Sequence, residues 1–118
     1  MDNSILNSVK RSCGGISPDD PHFNEDLIMY ANTVFATLNQ MGVGPKEGFG
    51  IEDERVQWSE YIPDNASLLY FVKTYVGLKT RQKFDPPANS TLAEALKQSI
   101  TELEWRISIE ASRTNQNG

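Results

Sequence analysis

Leu68-Leu69-Tyr70-Phe71-Val72-Lys73-Thr74-Tyr75-Val76-Gly77-Leu78-Lys79-Thr80-Arg81-Gln82-Lys83 is the stretch whose reading decides the fold. Leu68, Leu69, Phe71, Val72, Tyr75, Val76 and Leu78 cover about half of a helical wheel, and so wide an apolar arc implies neighbours on more than one side. The segment is therefore expected to be a helix inside a small bundle. It should begin after Asp64 or Ser67 and end at about Lys83, because Phe84-Asp85-Pro86-Pro87 follows and each proline disfavours helical geometry in the residue before it.

Working outward, three further helices are legible. From Asp2 to about Ser12, Ile5, Leu6 and Val9 share one side of a wheel with Cys13, and Gly14-Gly15 reads as a glycine cap. Phe23, Leu27, Ala31, Val34, Leu38 and Met41 recur at spacings of three and four, widened by Ile28 and Phe35, until Gly42 and Gly44-Pro45 stop them. For this helix Asp20 before Pro21 is one candidate N-cap and Asn24 its rival. Downstream, Leu92, Leu96, Ile100, Leu103 and Ile107 form the stripe of the last helix. Asn89-Ser90-Thr91 supplies its caps, Thr91 and Glu94 have capping-box spacing, and Glu102 and Arg106 form an i,i+4 pair.

The expectation is an all-α domain over residues 1–118, with about four helices, a long loop at about 42–63 and a frayed tail from about 112. Within the loop the periodicity vanishes, and Phe49, Ile51, Trp58 and Tyr61 are its candidate anchors. Its glycines and the acidic run Glu52-Asp53-Glu54 suggest mobility in the free chain. Two readings of Trp58 are open: a lid over the core, or a contact with a partner, since Trp and Tyr are favoured interface anchors.

Sixteen acidic against eleven basic side chains give a net charge of -5, the wrong sign for gripping phosphates over a broad surface. No apolar run approaches the roughly 18 residues that span a bilayer, and no signal-peptide pattern opens the chain, so neither membrane nor export is expected. The single cysteine, Cys13, cannot form an internal disulfide; it reads as a small buried thiol in a chain suited to a reducing compartment.

The parts of a catalytic or metal site are missing. One Cys and one His, His22, leave only carboxylates such as Asp19-Asp20 and Glu52-Asp53-Glu54, and these lack calcium-loop spacing. No Gly-Lys-Ser/Thr opens a helix, and no serine has a base beyond His22. Neither enzyme activity nor a cofactor is expected.

Two features point instead to contacts. Trp105 and Ile109 lie one turn apart on the side opposite the Leu–Ile stripe, so either a second helix or another subunit covers them. Lys73, Lys79, Arg81 and Lys83 gather toward the end of their helix, where they could complement the helix dipole or meet DNA or an acidic partner.

The wording of the chain adds a further signal. Trp58-Ser59-Glu60-Tyr61-Ile62, Val72-Lys73-Thr74-Tyr75-Val76-Gly77-Leu78-Lys79-Thr80-Arg81, Phe84-Asp85-Pro86-Pro87 and Glu102-Leu103-Glu104-Trp105-Arg106-Ile107 together resemble the small head–tail connector (adaptor) proteins of long-tailed bacteriophages. Gly77 and Gln82 stand where that family would have bulkier or more apolar residues. The resemblance implies a homo-oligomeric, commonly dodecameric, ring in the virion neck, assembled in the host cytoplasm. Its partners would be the portal protein above and the next neck (stopper) protein below, with genomic DNA passing through the channel without sequence-specific binding. On that reading Trp58, Tyr61, Trp105 and Ile109 are candidate subunit or portal contacts, and Lys79, Arg81 and Lys83 candidate lumen or rim cations. The alternative is a small helical regulatory or adaptor module of a bacterial cell.

Overall fold

The computed structural model describes the backbone of residues 3–117 and the side chains of residues 3–113. Its elements are α1 (Ile5–Ser12), α2 (Asn24–Gln40), the one-turn α3 (Trp58–Tyr61), α4 (Ala66–Phe84) and α5 (Ser90–Asn117). The all-α expectation holds, and α4 is central, packing against α1, α2 and α5. This is what its wide apolar arc requires: Leu68, Val72, Tyr75, Val76, Gly77 and Thr80 are all buried.

The helix ends differ from expectation for local reasons. Before α1, Asn3 and Ile5 bond to the strand-like approach to α3 (Ile5 N to Val56 O, 3.1 Å; Trp58 N to Asn3 O, 3.1 Å). Helix therefore starts only after Ser4, whose Oγ accepts from Asn7 N. α2 starts at Asn24, behind Phe23, with no side-chain cap from either candidate; Asp20 instead accepts from His22 N within its own turn. α4 is capped by Asn65, whose Oδ1 accepts from Leu68 N at 3.1 Å. At α5 the cap is Asn89, accepting from both Thr91 N and Leu92 N.

One expectation about α5 is corrected. Leu92 is exposed, because the buried stripe begins only at Leu96 and runs through Ile100 and Ile107 to Ala111. Where a frayed tail was expected from about 112, the backbone is helical to Asn117, and Gly118 lies outside the described residues.

The long loop expected at about 42–63 is present after α2. It ends in α3, where the Gln57 N–H donates to Glu60 Oε2 at 2.7 Å, and its course is fastened rather than free. Asn32 of α2 clamps Ile51 from both sides, accepting from Ile51 N (2.8 Å) and donating to Ile51 O (3.0 Å). Asn39 donates to Pro45 O at 2.8 Å. Apolar burial completes the attachment: Phe35 of α2 meets Tyr61 at 4.8 Å, Phe49 at 5.1 Å and Trp58 at 6.2 Å between ring centroids. Edge-to-face pairs of this kind add about 0.5–1.5 kcal/mol beyond the area they bury, so the loop is part of the core.

Gly77, unexpected in a central helix, has a packing reason. A Cβ there would run into the Ser12 side chain, including its Cβ at 3.0 Å. The missing side chain is what lets α1 lie this close to α4.

Candidate interaction surface

The sequence offered four apolar candidates, and the structure divides them into two pairs. Trp58 and Tyr61 are core residues, 1% and 3% exposed. Trp58 is fixed further by its Nε1–H, which donates to Ser8 Oγ at 3.0 Å. In the single chain the ring therefore lies in the core, where a lid would sit, and presents no surface to a partner. Tyr61 lies against the Gly42–Pro45 turn, where Gly44 has φ +89° and no room for a Cβ beside the phenol ring. Its hydroxyl is buried without a hydrogen-bond partner, and burial pushes its pKa up.

Trp105 and Ile109 are the opposite case, 60% and 41% exposed on α5. Ile107, between them in sequence, is completely buried on the other face. That face is tied to α4 by the Tyr75 hydroxyl, which donates to Glu104 Oε2 at 2.9 Å; burial and then the Glu104 carboxylate hold the phenol pKa up. Met29, Tyr70 and Leu92 are also exposed, but none has a large exposed apolar residue one turn along its helix. Trp105 and Ile109 do, and the Arg106 guanidinium lies 5.6 Å from the Trp105 ring centroid while pairing with Glu102 at 3.1 Å.

The three candidate cations do not form one patch. Lys79 and Lys83 are four residues apart and share a face of α4, whereas Arg81 is turned about 200° from each by helix geometry. Arg81 is close enough to lower the Cys13 thiol pKa, against the opposite effect of Asp85. Its Nε is buried without a hydrogen-bond partner. Composition alone grouped residues that the helix separates.

Among the described residues no group of three or more His, Cys, Asp or Glu could hold a metal ion, and no helix is long and apolar enough to cross a membrane. Cys13 is 2% exposed, and burial pushes its thiol up to about 11, an effect only partly offset by Arg81. A thiolate nucleophile is thus disfavoured near neutrality. Because the folded state holds this proton more tightly than the unfolded chain, whose thiol titrates near about 8.5, stability contributed by the neutral thiol should be lost as pH rises from there through about 11. Alkylation of native protein at pH 8 should be slower than that of urea-unfolded protein by at least about tenfold. Equal rates would place Cys13 at the surface.

Sequence reading missed two side chains that fasten the connecting segments to the helices. Asn32 was hidden because a polar residue between core positions looks like solvent-facing surface. Lys10 was overlooked for the same reason, yet it is 1% exposed and its Nζ donates to Pro18 O and Asp20 O.

A helical bundle whose longest helix buries one apolar face and exposes a Trp–Ile pair on the other has the build of a structural protein that works through contacts. Its family is specific: the model described as phage connector protein matches residues 5–114, and the chain belongs to that family of structural phage proteins. No curated protein and no solved structure matches the chain.

Proposed function

We propose that the chain is a head–tail connector of a tailed phage. Copies of it form a ring in the virion neck that docks beneath the portal, extends the channel for the genome and offers its lower side to the next neck protein. The observation that carries this reading is the exposed Trp105–Ile109 pair on α5 in a chain of the phage connector family. A Trp presents about 150–250 Å² of mostly apolar surface, and large aromatics dominate the energetics of interfaces. The net charge of -5 suits a channel wall that DNA must pass without being held. Lys79 and Lys83, on one face of α4, are the cations best placed to soften that repulsion at the lumen or the portal's lower rim.

Replacing Trp105 by Ala and Ile109 by Asp tests the reading. Both residues are exposed, so the melting temperature of the free chain should change little, within about 0.5 kcal/mol of stability. Ring formation or capture by portal rings, followed by mass measurement of the assemblies, should weaken by about thirtyfold or more, the scale of an interface hot spot of about 2 kcal/mol. A folded double variant that enters particles at the normal level would remove this face from the connector's contacts.

A further inference from the structure

A groove of about 320 Å³ runs between α1 and α4, lined by Ser8, Arg11, Ser12, Lys73, Thr74 and Leu78. Its hydroxyls are engaged within their own helices: Ser12 donates to Ser8 O and Thr74 to Tyr70 O. Its cations are not neutralised: neither Arg11 nor Lys73 enters an ion pair among the described residues. The Lys73 ammonium rests 6.0 Å from the Trp58 ring centroid, which positions it without cancelling its charge. Two uncompensated cations in a chain of net charge -5 form a local site for carboxylates.

The same chain displays matching acids elsewhere. In Glu52-Asp53-Glu54, the central Asp53 is taken: its carboxylate accepts from Arg55 N (2.8 Å) and from the Arg55 guanidinium (2.7 Å). That internal pair stiffens the turn and leaves Glu52 and Glu54, both exposed, on either side of it. The turn is held on α2 through the Asn32–Ile51 clamp, whereas the groove belongs to α1 and α4. Two different, complementary patches on one chain are what a head-to-tail contact needs, and such contacts close into rings when the rotation permits.

We propose that the Arg11–Lys73 groove receives Glu52 and Glu54 of a second copy of this chain, forming the lateral contact of the ring. The proposal rests on the self-association assumed in the connector reading and adds which surfaces meet. Charge complementarity selects this occupant: like charges facing each other across an interface are strongly disfavoured, and opposite ones set register and partner choice.

Charge exchange provides the test. One variant carries Arg11→Glu and Lys73→Glu; the other carries Glu52→Lys and Glu54→Lys. Sedimentation of the full chain at low salt should show wild-type association that weakens by about tenfold in high salt. Each variant alone should lose association by at least about tenfold, because both of its patches then carry the same sign. An equimolar mixture should recover it, since each groove again faces an opposite turn. A mixture that stays monomeric while wild type associates would overturn the proposal, as would a wild-type chain that is monomeric at every salt concentration. If the groove reversal changes only retention on duplex DNA and leaves sedimentation untouched, the groove serves phosphates and the proposal is wrong. Capture of the wild-type chain by portal rings is scored separately from sedimentation, so failure of the connector reading would show there independently.

Discussion

Trp58→Ala is expected to cost about 3–5 kcal/mol, the range for removing a buried aromatic side chain from a packed core. A domain of this size has about 5–15 kcal/mol of total stability, so the variant should melt far below wild type and could lie mostly unfolded at 37 °C. The size of the effect follows from what the ring holds together. Trp58 is 1% exposed, packs near Phe35 of α2, donates to Ser8 of α1 and lies beneath Lys73 of α4. Truncation would therefore open a cavity where three helices and the 42–57 segment meet. Trp58→Phe should cost less, because it keeps much of the apolar volume and loses mainly the bond to Ser8, about 1 kcal/mol. Urea unfolding of both variants measures the difference. If Trp58→Ala folds with wild-type stability and loses only assembly, the ring belongs to an interface after all.

That result bears on how the fold can be read from sequence. α2, α4 and α5 were legible because their stripes repeat over many turns, and the width of the α4 arc correctly implied neighbours on several sides. For the 42–57 segment the apolar anchors were legible but their partners were not, because what fastens it is sporadic: Asn32 mimics a backbone partner for Ile51, and Phe49 and Tyr61 reach back to Phe35 across the chain. No periodicity encodes such contacts. Of the glycines that suggested mobility, Gly44 has a definite job instead, adopting φ +89° against Tyr61. The exposed Trp105–Ile109 pair was legible from helical spacing alone, since a helix that already has one buried stripe must leave the opposite face to solvent or to a partner. Trp58 and Tyr61 could not be separated from that pair by residue type, because a large aromatic suits a core as well as an interface and only burial distinguishes them. Arg81 shows the same limit for charge, since proximity in sequence grouped it with Lys79 and Lys83 while the helix turns it to a different face.

Lys10 carries the second large expected effect. Lysines are rarely buried, yet Lys10 is 1% exposed and uses its ammonium to hold the turn that leads into α2, donating to Asp20 O at 2.9 Å and Pro18 O at 3.2 Å. Two opposing quantities decide what its loss does. Burying an ammonium costs several kcal/mol, whereas each hydrogen bond from a charged donor returns about 1.5–3 kcal/mol, and the four-carbon stem adds about 0.8 kcal/mol per buried methylene. Lys10→Ala forfeits both the bonds and the stem, and an expected net loss of about 2–4 kcal/mol follows. Lys10→Met keeps most of the apolar volume and isolates the ammonium. Its loss should be smaller, about 1–2 kcal/mol, because water can reach the carbonyls of the exposed residues Pro18 and Asp20 once the ammonium is gone. Hydrogen exchange should locate the damage, with protection falling at Asp20 N and Asn24 N, which close this turn onto Ser17 O and Pro21 O, before α4 is affected. A Lys10→Met chain as stable as wild type, with these amides unchanged, would mean that desolvation cancels both bonds and that the turn is held by its own backbone.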